Sequence, residues 1–176
     1  ISTSGASAIV QFTLLDTDGT TVLGSVNSTA VQVPKYSVDG ATVIAEAVIK
    51  PAEAHNLKQW TIQSAILYPV RVDVIVEGTV VETQTVETGF RTTTWTAGGH
   101  GAAPFTLNND AISFRGFSHH NSIGGLGVAI PERVNLFRVQ SARGLGSNIW
   151  RMSHNPYTPA LYSLLDATGV MVWDGG

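Results

Sequence analysis

Between Arg115 and Trp173 the chain alternates short β-branched or aromatic runs with helical patterns, and few folds accept that order. Residues 115–120 read as a strand, Pro131-Glu132-Arg133 opens a helix, and Asn148-Ile149-Trp150 reads as a second strand. Thr158-Pro159 opens a second helix, and Val170-Met171-Val172-Trp173 is a third buried strand. Proline suits the first helical positions, where its missing N–H costs nothing. Gly144, Gly146 and Gly169 supply the stops, and Leu161, Leu164 and Leu165 recur at helical spacing. Strand–helix–strand–helix–strand is the rhythm of a parallel barrel or a doubly wound sheet. Such folds place their binding sites at the carboxyl ends of the strands. Here Arg115-Gly116-Phe117-Ser118-His119-His120-Asn121 and Arg151-Met152-Ser153-His154-Asn155-Pro156 end their strands in Arg, His and Asn.

The first half of the chain reads as β. Ala8 to Leu15 is apolar and β-branched, Asp16-Thr17-Asp18-Gly19 supplies a turn, and Thr20 to Leu23 can return as a hairpin partner. Val43 to Ile49 gives a second strand signal and Ile66 to Val76 a third, which Val80 to Val86 pairs across Glu77-Gly78-Thr79. Strands at this spacing without a convincing helix predict a two-sheet sandwich, with Trp60 in its core. Thr92 to Pro104 is rich in Thr, Gly and Ala and reads as a connector, followed by a small hairpin from Phe105 to Phe114.

Composition narrows the function classes. None of the 176 residues is Cys, so disulfides and thiolate metal sites are excluded. Net charge is −3 and no basic run occurs, which argues against nucleic acid as a partner. Charged residues make up 13% of the chain, about half of the usual 25% or so. Low charge with a mean hydropathy of +0.14 predicts that some surface packs against further protein, so an oligomer or other partner chains are expected. No apolar run reaches the ~20 residues of a membrane helix, and no membrane partner is expected. No targeting segment is visible, which leaves the compartment open between extracellular and cytoplasmic. Asn27-Ser28-Thr29 is the one glycosylation sequon, a pattern that also arises by chance.

Several motifs fall in a fixed order. Trp60 and Leu67-Tyr68 come first, then Glu87-Thr88-Gly89-Phe90-Arg91, Phe105-Thr106-Leu107-Asn108-Asn109, Arg115-Gly116 and His120. Gly146-Ser147-Asn148, Arg151 to Pro156, Leu165-Asp166-Ala167-Thr168-Gly169 and Val172-Trp173-Asp174 complete the series. Together they resemble glycoside hydrolase family 2, with the β-galactosidase branch the nearest. The resemblance implies an immunoglobulin-like sandwich over residues 1–91, possibly without its first strand. It implies the opening part of a (β/α)8 barrel over residues 92–176, about three strands and two helices. It also implies a retaining exo-β-glycosidase with two glutamates about 5–5.5 Å apart, both carried on later barrel strands.

The carboxylates after the connector are Asp110, Glu132, Asp166 and Asp174. Asp174 alone falls at a strand's carboxyl end, and one carboxylate cannot do the work of a pair. No catalytic residue is therefore expected in this chain, and hydrolysis by the chain alone is not expected. By the resemblance, His120, Asn121, Arg151 and His154 bind the sugar, a β-linked glycone, while the remaining barrel segment comes from elsewhere. Read as a residue type alone, His120 is more simply a half-buried histidine satisfied by backbone, and the bland alternative for Arg151 is a brace in an ion pair. Adjacent strand side chains face opposite ways, so His119 and His120 make a poor chelate and His119 is expected to be structural. No metal and no cofactor are expected from these residues, although the resemblance allows a divalent or sodium ion in the intact family member. Asn121, and Gly175 after Trp173-Asp174, depart from the family pattern, where acidic residues are usual. Two other functions remain open: a non-catalytic structural or assembly protein that keeps the fold, and a carbohydrate-binding module.

Overall fold

The computed structural model describes residues 5–34, 43–49, 57–96 and 105–174. The chain forms two compact units, one from Ile1–Leu57 with Tyr68–Thr88 and the other from Lys58–Leu67 with Gly89–Gly176.

The first unit is built on one antiparallel sheet of five strands: β1 (Ala6–Leu15), β2 (Val22–Asn27), β3 (Val31–Val33), β4 (Tyr68–Val76) and β5 (Thr79–Thr88). The strand order is β2-β1-β4-β5, and β3 pairs with β1 over Ala6–Ala8. β2 and β3 therefore share one flank of β1. Its first turn forms because the Asp18 carboxylate accepts hydrogen bonds from the Thr20 and Thr21 amides and the Thr21 hydroxyl, with Gly19 at φ +72°. Those bonds hold the Asp18 carboxyl well below the usual range. On β4, Asp73 is buried and accepts from the Thr83 hydroxyl at 2.6 Å and from Arg71 at 2.9 Å. The sequon asparagine, Asn27, ends β2 and accepts a hydrogen bond from Gln11 at 3.0 Å.

Among the described residues this sheet is one layer of the expected sandwich. Val43 to Ile49, read as a strand from its alternation, is not one. Ile44 and Val48 are 73% and 80% exposed, and the segment joins no ladder among the described residues. Alternation records a preference for a half-buried surface, and without a partner strand it yields no β-structure.

The second unit carries a three-stranded parallel sheet in the order β11-β10-β9, made of β9 (Gly116–His120), β10 (Ile149–Ser153) and β11 (Met171–Trp173). Helices α1 (Glu132–Gly144) and α2 (Pro159–Thr168) make the crossovers. Pro131 caps α1, Pro159 sits in the first turn of α2, and Gly169 ends α2 at φ +71°. Trp150 and Met152 point to the helices and are fully buried with Val139, Ala142, Leu161, Leu165 and Val170. The start of β9 is set by contact. A Cβ on Gly116 would fall 2.0 Å from the Ile149 carbonyl oxygen, so that position accepts only glycine if β9 is to pair with β10. Asn148 grips the same segment, donating to the Ser113 carbonyl and accepting from the Arg115 amide.

A second small sheet, β6 (Thr93–Trp95), β7 (Phe105–Leu107) and β8 (Asp110–Ala111), is antiparallel in the order β6-β7-β8. β6 lies in the stretch read as a plain connector. Trp95, Phe105 and Phe114 gather there, with ring centroids 4.9–5.9 Å apart.

Trp60 is not in the sandwich core. It is 1% exposed within the second unit, packed with Ile62, Phe105, Leu107 and Met171. Its indole donates to the Asp166 carbonyl at 2.7 Å, its amide donates to the Phe90 carbonyl, and its own carbonyl accepts from Asn108. Arg91 lies 5.0 Å over its ring. These partners bury the whole ring and satisfy its N–H together.

Candidate functional site

Parallel pairing sets the site's geometry. Ser118 is opposite Arg151, and His120 is opposite Ser153. Since Trp150 and Met152 face the helices, alternation sends Arg151 and Ser153 to the other face of the sheet, beside Ser118 and His120. Arg151 donates to the Ser153 hydroxyl at 2.9 Å and to that of Ser118 at 3.4 Å. Its guanidinium also lies 5.7 Å over the Trp173 ring. Trp173 is 61% exposed on the edge strand β11.

The two exposed histidines meet at the strand ends. The rings of His120 and His154 stand edge to face with centroids 6.0 Å apart. Arg151 sits one pleat below His120 on the same face. Asn121 follows β9 directly and is half-buried. The structure thus brings together His120, Arg151 and His154, and leaves Asn121 at the start of the adjoining turn. Ser118 and Ser153, which hold Arg151, did not stand out in the sequence, although same-face alternation around Arg151 picks out both.

His119 points the opposite way. It stacks on Trp150 with centroids 3.3 Å apart and planes inclined by 8°. Burial, helped by the charge of Arg138, pushes its pKa down from 6.5 to about 4. The folded state therefore holds His119 neutral where an unfolded chain protonates it. Stability of this unit is expected to be full above pH 6.5 and to fall as pH drops through 6.5 toward 4. Urea midpoints measured across that window should decline for the wild type and flatten in His119→Phe. An equal decline in both would exclude His119 as the source.

A cleft of about 580 Å³ in this unit lies off the histidine pair. Arg91, Trp95, Phe105, Phe114, Trp173 and Asp174 line it, among others, so Trp173 borders both regions. Asp174 accepts a hydrogen bond from the Tyr162 hydroxyl at 2.8 Å, which raises the tyrosine's pKa. Asp166 is pushed up by burial, and its carbonyl holds Trp60. Asp110 and Glu132 lie at the start of β8 and in the first turn of α1. No cluster of three or more His, Asp or Glu residues arranged to hold a metal occurs among the described residues. No helix among them is long and apolar enough to cross a membrane.

A parallel strand–helix sheet with its polar groups at the strand ends is the site type of parallel barrels and doubly wound sheets, and comparison with known proteins gives the family. The sequence model of glycosyl hydrolases family 2 matches residues 1–91, and that of the family's TIM barrel domain matches residues 102–175. The chain belongs to glycosyl hydrolase family 2. It is 28% identical over 165 residues to a putative β-glucuronidase of Formosa agariphila, covering 94% of this chain and 18% of that protein. A β-galactosidase of Bacteroides ovatus is 31% identical over 115 residues, which cover 65% of this chain and 13% of that one. Among solved structures, a family 2 member from Bacteroides cellulosilyticus superposes with a TM-score of 0.79 at 22% identity, over 98% of this chain and 22% of its own. The chain thus spans about a fifth or less of the length of these relatives. Their folds agree with a sandwich part followed by the start of a barrel.

Proposed function

We propose that this chain forms the first wall of the glycone pocket in a retaining exo-β-glycosidase, with His120, Asn121, Arg151 and His154 contacting a β-galactoside. The observation that carries the reading is the convergence of His120, Arg151 and His154 on one face and one end of the parallel sheet. Two imidazoles and a fork of guanidinium donors suit the paired hydroxyls of a sugar, and the nearby Trp173 ring offers an apolar face. Cleavage requires two carboxylates flanking the bond. Asp110 lies on β8 and Asp166 near the carboxyl end of α2, Glu132 stands on the helix layer in the first turn of α1, and Asp174 is bound to Tyr162. The acid pair is therefore supplied by residues outside this sequence, on strands that continue the sheet and cover its open edge. No metal or cofactor enters the reading.

Relatives named β-glucuronidase and β-galactosidase both match the chain, which makes a β-glucuronide the second glycone. Titrating the chain with methyl β-galactoside and methyl β-glucuronide, while following the imidazole proton resonances, tests both. Saturable shifts at His120 and His154 with the galactoside are expected, weakened at least about tenfold in Arg151→Leu, and without hydrolysis. Larger shifts with the glucuronide reassign the glycone. No shift with either sugar removes the proposal.

A further inference from the structure

We propose that Arg138 and Tyr157 are positioning residues that fix the angle between His120 and His154, an inference that rests on reading those two histidines as sugar-binding groups. β9 has a single strand neighbour, β10, in the described sheet, and its last two carbonyls accept hydrogen bonds from side chains. Tyr157 donates its hydroxyl to the His119 carbonyl, and Arg138 donates to the His120 carbonyl at 2.9 Å. Tyr157 belongs to the turn after β10 that also carries His154, three residues earlier. Its bond therefore ties the turn that presents His154 to the end of the strand that presents His120.

Arg138 works from the other side. It is held on α1 by Asn135 Oδ1 at 3.2 Å, and its guanidinium lies 5.3 Å over the Trp150 ring. Trp150 is itself covered by the His119 ring. The peptide that bears His120 is thus gripped at two successive carbonyls and by one stacked side chain, while its imidazole stays exposed. Burial raises the Tyr157 pKa, which keeps the hydroxyl protonated as a donor. Neither Arg138 nor Tyr157 lies on the sugar-facing side of the sheet, so both act through the histidines.

The test uses Tyr157→Phe, which removes one oxygen, together with Arg138→Met and Arg138→Lys in the 176-residue chain. The readout is the ring-to-ring nuclear Overhauser effect between His120 and His154, alongside affinity for methyl β-galactoside. In Tyr157→Phe the effect should vanish, and affinity should drop about tenfold, with the parallel sheet still folded by amide dispersion. Arg138→Met should lose the effect, and Arg138→Lys, which keeps a charged donor, should restore part of it. Variants that keep both the ring contact and the affinity within about twofold overturn the proposal. Should Arg138→Met fail to fold, Tyr157→Phe decides alone. Should the wild type bind no sugar, the glycone reading falls, and the ring contact still decides whether the two side chains set the geometry.

Discussion

Trp60→Ala is expected to destabilise the unit containing the parallel sheet by about 3–5 kcal/mol, the usual cost of deleting a fully buried aromatic ring. The ring is 1% exposed among Ile62, Phe105, Leu107 and Met171, and its removal also leaves the Asp166 carbonyl without its indole donor. Gly89 shows how closely the site is built, since a Cβ there would meet Trp60 Cβ at 2.9 Å. Urea unfolding followed by circular dichroism measures the loss. Trp60→Phe should recover most of the packing but remain about 1 kcal/mol short, the worth of the N–H bond. An alanine variant less than about 1 kcal/mol below wild type is inconsistent with this burial.

Gly169→Ala comes second, at about 2–4 kcal/mol, from left-handed strain together with overpacking. Gly169 ends α2 at φ +71°, and an added Cβ would stand 2.3 Å from the Ile62 carbonyl oxygen. Backbone cannot swing away as a flexible side chain can, and Arg143 holds both places by donating to the Ile62 and Gly169 carbonyls. Gly19 provides the control, with φ +72° and nothing within 4 Å of the added carbon. Alanine there should cost only the conformational part, about 1 kcal/mol. The difference between the two variants isolates the clash, and equal losses would show that no clash exists.

These residues also mark how far sequence reasoning reaches. The strand–helix alternation from Gly116 to Trp173 was readable because each signal is local: proline at a helix start, glycine at its end, apolar spacing between. The opposite orientations of His119 and His120 followed from strand alternation alone. Trp60 was misplaced because its partners lie far along the chain, with Asp166 separated from it by 106 positions, and periodicity carries no information at that range. Val43 to Ile49 has the pattern of a strand but no ladder among the described residues, since pairing belongs to two segments and pattern to one. β6 was missed because three residues within a run of Thr give almost no signal. Of the site, the Arg and His residues showed as motif positions. The serines that hold Arg151, and the Arg138 and Tyr157 bonds to backbone, need register and crossover geometry to be seen.

The placement of residues 58–67 has a consequence for how such a chain is made. Trp60 leaves the ribosome before strands β4 and β5 and long before α2, so a nascent chain carries a bare indole until its distant niche has been synthesised. Chaperone contact at that stage is expected to centre on this segment, since transiently exposed apolar surface is what holdases bind. Recombination between homologous genes meets the same constraint. A crossover placed between Thr88 and Gly89 would join a barrel start to a foreign tryptophan segment, and progeny should survive only where indole and niche descend from the same parent.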